Sequence, residues 1–284
     1  MRILLVTTAL VAMSALPSAA FAESDSPWLP IPSELSVSLN HTQQSGDNAF
    51  IGDKELSLGA ITGGGASKYK RATTTVRVAY GLADTLSLDA AIGYGKVRIG
   101  AADNSSGATD TTLGLNWRVL DEFLRPALPT LTLRAAGILK GNYDGARLAA
   151  LGKDANGIEV AAVLGKELTP ALALWGEIGV QRRSADVPRA TFFELGARWR
   201  LAPMWNATLG YSAKKFSGGL DIGGPGFSPA RFQQVREERS LGKVGLSYAI
   251  AGNQGVALNF AKLIDGRNTV KDDQVIGVSY TFAF

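Results

Sequence analysis

The sequence predicts an all-β fold: a transmembrane up-and-down antiparallel β-barrel of about twelve strands. Three observations predict it. Apolar residues alternate with small or polar ones from residue 72 to the C-terminus, and no segment keeps a helical period. The connections alternate between short turns and long polar loops. The chain ends on an aromatic residue, Phe284, inside such an alternating segment, whereas soluble domains usually end on frayed polar residues.

The N-terminus predicts a secretory signal peptide over residues 1–22. Arg2 precedes an apolar stretch that runs from Ile3 to Leu16, and the residues at 20–22 form a small-x-small cleavage site. An uncleaved anchor is the alternative, but the apolar run is short for a membrane span. Without Arg2 the chain has 28 basic and 25 acidic residues and no basic run, so nucleic-acid binding is not indicated.

The composition argues against catalysis. The chain has no cysteine, which excludes disulfides, a thiol nucleophile and thiolate metal ligands. Its single histidine, His41, lies in a segment without any hydrolase, metalloprotease or nucleotide-binding motif. We therefore expect no catalytic residue, no cofactor and no metal site, and we rank an enzyme below the two other functional classes considered below.

Counting back from the C-terminus assigns all the strands except the first. Proline falls in the turns and never inside a predicted strand, as ladder hydrogen bonding requires. The predicted strands are 72–80, 86–94, 111–119, 131–139, 158–164, 172–180, 193–201, 205–213, 242–250, 256–260 and 276–284.

The first strand has two candidates, because single-chain barrels have even strand numbers and one strand is still needed. Glu55–Ile61, paired with its neighbour through the turn TGGGASKYKR, is our prediction. Ser33–Thr42 is then a pre-barrel segment, a plug or an extension. The predicted organisation is therefore a periplasmic pre-barrel or plug segment at 23–53 and a barrel at 54–284, with about fourteen strands as the alternative.

The two ends of the predicted barrel differ. Short connections at 81–85, 169–171, 202–204 and 251–254 alternate with long ones at 100–109, 141–156 and 218–237, which matches short periplasmic turns and longer external loops. Aromatic residues gather at both strand ends, as expected of interfacial belts. They are Trp117, Trp199, Trp205, Tyr80 and Tyr248 near the turns, and Tyr94, Tyr211 and Phe216 near the loops.

The last strand carries the most specific signal of the chain. Its alternating apolar residues and terminal aromatic resemble the signal of outer-membrane proteins that the barrel-assembly machinery recognises. We expect that machinery, periplasmic chaperones, and the lipid and lipopolysaccharide of a Gram-negative outer membrane as partners. The residues of this signal are Ile276, Val278, Tyr280, Phe282 and Phe284.

The opposite parity of the strands predicts the lining of the lumen. Charged residues of both signs fall there, and Arg or Lys facing lipid at the midplane costs about 2–4 kcal/mol. A network of ion pairs that rigidifies the barrel and a polar channel are both compatible with this pattern. The candidate pore-lining residues are Asp89, Arg118, Arg134, Glu159, Glu177, Glu194, Arg198 and Lys214.

Glycine recurs on the same inward parity, and we interpret it as space kept open for a passage rather than as curvature alone. The long loop at 218–237 contains Phe227 and Phe232. It folds inward as a constriction, offers an apolar entry site or remains a surface loop. The inward glycines are Gly93, Gly114, Gly165, Gly179, Gly196, Gly210, Gly245 and Gly277.

Three stretches resemble a known family. YGLADTLSLDAAIGYG at 80–95, TDTTLGLNWRVL at 109–120 and VIGVSYTF at 275–282 are similar to the outer-membrane transporter family of the phenol-degradation meta-pathway. The resemblance implies a barrel that carries small hydrophobic or aromatic compounds inward, and it supplies no site residues.

Two functional classes therefore lead. The first is an outer-membrane channel for passive uptake of small hydrophobic or aromatic solutes. The second is a non-transporting barrel with a structural or surface-interaction role through its long loops. Conductance in planar bilayers discriminates between them.

Overall fold

The computed structural model describes residues 26–100, 103–145, 147–148 and 150–284. The predicted signal peptide lies outside the described residues. The elements are β1 Leu35–Gly46, β2 Asn48–Ile51, β3 Lys54–Ser57, α1 Leu58–Ile61, β4 Tyr69–Ala83, β5 Leu86–Ile99, β6 Asp103–Ala108, β7 Thr111–Leu120, β8 Thr130–Leu139, β9 Gly157–Thr169, β10 Leu172–Arg183, β11 Arg189–Ala202, β12 Trp205–Ser217, a 3-10 helix at Pro229–Gln234, β13 Glu238–Ala251, β14 Gln254–Arg267 and β15 Gln274–Ala283.

Twelve of these strands form a closed antiparallel barrel. Consecutive strands pair around the ring, and β1 pairs with both β4 and β15, which closes it. The β1–β15 register runs from Ser36 opposite Ala283 to Ser45 opposite Gln274. Closure leaves no free sheet edge, as a sheet inside hydrocarbon requires. The predicted up-and-down barrel and its strand number are confirmed.

One strand, β6, lies outside the twelve-strand count. It pairs with the upper half of β5, with Tyr94 opposite Ala108, while β7 pairs with the lower half, with Ala91 opposite Thr112. The chain therefore follows β5 in two sections with an irregularity between them, at 109–111. Such irregularities change the direction of the side chains. Here the side chain of Asp110 faces the lumen, where it accepts a hydrogen bond from Arg183.

The predicted first strand was wrong. The barrel begins with β1 at Leu35–Gly46, inside the segment that we expected to precede it. Residues 54–57 instead form a small hairpin with β2, and the Ser57 side chain caps the short helix that follows. Length explains the outcome, because a membrane-spanning strand needs about 9–11 residues. β1 has 12 residues, whereas β3 has 4.

The barrel is apolar outside and polar inside. Large apolar side chains such as Ile92, Leu115 and Leu209 are exposed on its outer face. The inner face buries Asp89, Asn116, Arg134, Glu177, Glu194, Lys243 and Asn259. Burial of charge toward the centre with exposed apolar residues outside is the arrangement that a lipid environment stabilises. No helix among the described residues is long and apolar enough to cross a membrane.

The two ends differ as predicted. The long connections meet at one end, where β2, β3 and α1 lie within the first of them. A small apolar cluster that includes Leu58, Tyr69, Val97 and Val270 packs beneath this connection. Most predicted belt aromatics are exposed on the outside, among them Tyr94, Trp117, Trp199 and Trp205. Phe216 is the exception, because it has inward parity and is buried within the outer end of the lumen.

Candidate functional site: the lumen

A network of charged and amide side chains crosses one wall of the lumen. Asp89 on β5 is its centre: Arg77 Nη2 lies 3.3 Å and Arg134 Nη2 lies 3.6 Å from its Oδ2. Asn116 Nδ2 donates to Asp89 Oδ1 at 2.8 Å. Arg134 also pairs with Glu159 on β9, with 3.1 Å between Nη1 and Oε1. Five strands, β4, β5, β7, β8 and β9, therefore share one network of ion pairs and hydrogen bonds.

The same network continues toward the loop end. Gln181 Nε2 donates to Glu159 Oε2 at 2.8 Å. Arg183 Nε donates to the Gln181 side chain, and Arg183 Nη1 lies 2.5 Å from Asp110 Oδ2. Tyr143 Oη donates to the other oxygen of Asp110 at 2.5 Å. Opposite charges alternate along this path, so its members pair with one another along a polar wall.

A second charged cluster lies across the lumen. Glu177 on β10 faces Glu194 on β11 in the strand register. Both carboxylates are buried, and like charges directly opposite each other destabilise a sheet. Lys243 on β13 offsets this repulsion, because its Nζ lies 2.5 Å from Glu194 Oε2.

Residues 26–34, the N-terminal segment, lie in the short-turn end of the lumen. Trp28 Nε1 donates to Glu122 Oε1 at 2.9 Å. The guanidinium of Arg198 lies 5.3 Å from the centre of a Trp28 ring, a cation–π contact. The inward-facing Thr132 hydroxyl donates to the carbonyl of Pro27 at 2.8 Å. Three different strands or turns of the barrel therefore hold this segment.

The inward glycines receive side chains rather than leave space. A Cβ built on Gly196 would lie 2.1 Å from the Trp175 ring, and one on Gly179 would lie 2.2 Å from the Phe192 ring. A Cβ on Gly165 would lie 2.4 Å from Pro27. The interpretation of these glycines as the lining of an open passage was therefore wrong: they allow bulky interior groups to approach the wall.

The loop end of the lumen encloses a cavity of about 240 Å³, the outer cavity. Its wall combines apolar residues, among them Leu151, Phe216, Phe232 and Val270, with charged ones. The loop at 218–237 does reach the lumen here, through Phe232 and Val235. The wall has two acidic residues, Asp110 and Glu237. It has six basic residues, which are Arg71, Arg147, Lys153, Arg183, Lys214 and Arg239.

Glu237 is held ionised in this cavity. Partial burial opposes the charge, but Lys153 and Arg239 outweigh it and lower the pKa of Glu237 to about 2. Lys153 Nζ lies 2.7 Å from Glu237 Oε2 and also lies over the Phe216 ring, 5.0 Å from its centre. In the adjoining loop, burial raises the pKa of Asp272, which pairs with Arg239.

The short-turn end encloses a second cavity of about 130 Å³, the inner cavity. The N-terminal segment contributes Trp28, Leu29 and Pro30 to its wall. Its charged residues are Arg77, Glu34 and Asp89, one basic and two acidic. The two cavities therefore differ in the sign of their charge.

All eight predicted lining residues face the lumen, but they do not form one site. Asp89, Arg134 and Glu159 share a network, whereas Lys214 lies in the outer cavity. Arg118 lies at the short-turn end, where it pairs with Asp121 at 3.3 Å. The role of these residues in a conducting pore stays a prediction.

Sequence reasoning missed several residues of the lumen. Asp110 lies between the predicted loop 100–109 and the predicted strand 111–119 and was not proposed as a lining residue. Trp28 was assigned only to the pre-barrel or plug segment. Arg77, Gln181 and Lys243 have inward parity, and that signal alone would have identified them. No local signal identifies Trp28, because its neighbours in the lumen are distant in the sequence.

His41 lies on the outer face of the barrel. It is exposed, its Nδ1 is 2.9 Å from Thr74 Oγ1 and its Nε2 is 3.3 Å from the Gln43 amide. Among the described residues, no group of three or more His, Cys, Asp or Glu side chains is arranged to hold a metal ion.

Comparison with known proteins supports the fold. No family model and no curated protein sequence matches the chain. Solved structures do match. An outer membrane channel from Pseudomonas putida is 19% identical with a TM-score of 0.71, over 95% of this chain and 100% of that one. KdgM porin is 8% identical with a TM-score of 0.53, over 88% and 99%.

A third similar structure is the translocator domain of the autotransporter NalP from Neisseria meningitidis, 12% identical with a TM-score of 0.51, over 93% of this chain and 90% of that one. At these identities the likeness establishes the fold alone. Together with the apolar outer face, it places the protein in the outer membrane of a Gram-negative bacterium.

Proposed function

We propose that this protein is a passive outer-membrane channel for small organic solutes, and that its outer cavity favours solutes with an apolar or aromatic body and a negative charge. The observation that carries the proposal is the outer cavity, where six basic and two acidic residues share a wall with apolar side chains. The polar, charged inner face that continues toward the other end supports a water-filled path.

The size of the outer cavity supports small solutes. Pockets for drug-sized ligands have volumes of about 300–1,000 Å³, and this cavity has about 240 Å³. A single aromatic ring with one carboxylate would contact Phe216 and Phe232 through its ring and the basic residues through its carboxylate. Asp144 and Asp272 pair with Arg147 and Arg239 of this wall. With these two carboxylates counted, six basic residues face four acidic ones, and the remaining positive charge raises the local concentration of anions.

Passive diffusion agrees with a lumen that is narrow and polar. The eight predicted lining residues form part of the proposed path, and the resemblance to a transporter family of aromatic degradation agrees with an aromatic solute. The similar structure from Pseudomonas putida is itself named a channel.

The proposal is tested by uptake into proteoliposomes of three solutes of similar shape: benzoate, benzyl alcohol and benzylamine. We expect benzoate to enter fastest and benzylamine slowest, and planar bilayers to show anion preference in a salt gradient. Equal rates, or the reverse order, would contradict the anion preference. Absence of both conductance and uptake would contradict the channel and favour a surface-interaction role through the long loops.

A further inference from the structure

A cluster of basic side chains lies on the outer face of the barrel near its loop end. Lys70 on β4 and Lys96 and Arg98 on β5 are exposed, and exposed Lys68 precedes β4. They border a groove of about 380 Å³ whose wall also includes Gln43, Ser45 and Gln274. We name these four cations and this groove the outer-face basic groove. It lies outside the lumen and takes no part in the proposed channel.

The strand register brings these cations together. Lys70 is directly opposite Arg98, and Ala72 is directly opposite Lys96. Directly opposite residues have Cβ atoms about 4.5–5.5 Å apart, and diagonal ones about 7–8 Å. Like charges in this arrangement destabilise the sheet. None of the four cations forms an ion pair with a carboxylate among the described residues. The cluster is therefore suited to an external anion.

The height of the groove identifies where that anion would be found. Tyr94, which is 59% exposed, faces outward on β5 below the cluster, at the level where aromatic belts mark the membrane interface. Lys96 and Arg98 lie about 7 and 13 Å further along the same strand. Ile92, below Tyr94, belongs to the apolar face. The cluster thus lies just outside the hydrocarbon, at the headgroup level of the outer leaflet.

The neighbouring groups favour a phosphorylated headgroup attached to a lipid. Gln43, Ser45 and Gln274 contribute hydrogen-bonding groups, and Ser45 is opposite both Lys70 and Gln274. Ile276, which is 45% exposed, lies on the same face where an acyl chain would pass. Lysine and arginine bind phosphate through charge-assisted hydrogen bonds, and a free solute would not need the adjoining apolar surface.

We propose that the outer-face basic groove is a binding site for a phosphate group of lipopolysaccharide in the outer leaflet. The lipid phosphate lies among Lys68, Lys70, Lys96 and Arg98, and its acyl chains pack along the apolar outer face below. This bound lipid offsets the repulsion between the facing cations and seals the wall formed by β1, β4, β5 and β15.

The test measures binding of bisphosphorylated lipid A to the purified full-length barrel in detergent micelles. We expect the double variant Lys70→Ala/Arg98→Ala to bind about tenfold more weakly or worse. The charge-preserving variant Lys70→Arg/Arg98→Lys should keep binding. Lys262→Ala is the matched control, because Lys262 is an exposed lysine near the same end on β14 and lies outside the groove. Its binding should be unchanged.

Two further measurements separate the sources of the anion. Dephosphorylated lipid A should bind weakly to every variant, and inorganic phosphate should compete only poorly. Equal binding of dephosphorylated and phosphorylated lipid A, or an unchanged affinity in the Lys70→Ala/Arg98→Ala variant, would overturn the proposal. Full competition by inorganic phosphate would replace it with a free-anion site. Retention of the heat-modifiable, folded band on gels confirms that each variant forms the barrel.

Discussion

The two ends of the lumen are built on different physical principles. The outer end contains an open-mouthed cavity of about 240 Å³ whose wall has six basic and two acidic residues. The inner end contains the N-terminal segment and a cavity of about 130 Å³ with one basic and two acidic residues. Ion pairs and apolar loop residues shape the first, whereas rings packed on glycines fill the second.

The proposed channel would give the two ends different tasks. Charge at the outer end would decide which solutes accumulate, because an electrostatic field acts over several ångströms. The side chains that fill the inner end would decide how much passes, because close contacts exclude volume. Variants at one end should therefore change selectivity, and variants at the other should change conductance.

The largest effect is expected from Trp28→Ala. The change removes the indole ring at the inner end, which donates a hydrogen bond to Glu122 and makes a cation–π contact with Arg198. We expect single-channel conductance in planar bilayers to rise several-fold, with ion selectivity unchanged. Trp117→Ala is the control, because Trp117 is 52% exposed on the outer face and its removal should leave conductance as it is. An unchanged conductance in Trp28→Ala would show that this segment does not limit passage.

A smaller effect is expected from Lys214→Gln in the outer cavity. The variant lacks one positive charge about 7 Å from a passing anion, so the electrostatic attraction on that anion is weaker. We expect the anion preference to fall about two- to threefold. The measurement is the reversal potential in a salt gradient, with Lys262→Gln on the outer face as control. If both variants shift it equally, the charge of the cavity does not set selectivity.

Gly196→Ala tests the packing at the inner end. A Cβ there would lie 2.1 Å from the Trp175 ring, and such overpacking costs about 1–3 kcal/mol. Gly137→Ala is the matched control, because a Cβ at Gly137 meets nothing within 4 Å. Urea unfolding in detergent or lipid should show a lower free energy of unfolding for Gly196→Ala alone. Equal stability of the two variants would contradict the close packing of the Trp175 ring against Gly196.

The smallest effect is expected from Glu237→Gln at the outer end. The pKa of Glu237 is about 2, below its ordinary value of 4.5, because Lys153 and Arg239 outweigh burial. The carboxylate therefore stabilises the folded state above pH 4.5 and loses that contribution as the pH falls toward 2. We expect the variant to lose about 1 kcal/mol at neutral pH, with the difference vanishing near pH 2. A difference that grows in acid would contradict this pairing.

Particular residues show how far the sequence predicts the site. Asp89, Arg134 and Glu177 were identified because parity alone assigns them to the inner face, and that parity is a local property of a strand. Phe216 was misplaced although its parity is the same as that of Lys214. The glycines were assigned to the correct face but given the wrong meaning, because the rings that pack on them come from the neighbouring strand or from the N-terminal segment.

The sequence by itself determined the barrel, its strand number, its two unlike ends and the inner and outer faces, because all of these follow from a two-residue period and from loop lengths. Only the tertiary structure decided which segment is the first strand, since that depends on closure of β1 against β15. It also decided the place of the N-terminal segment, where Pro27 and Thr132 meet across 105 residues. Contacts between residues so distant leave no periodic trace in the chain.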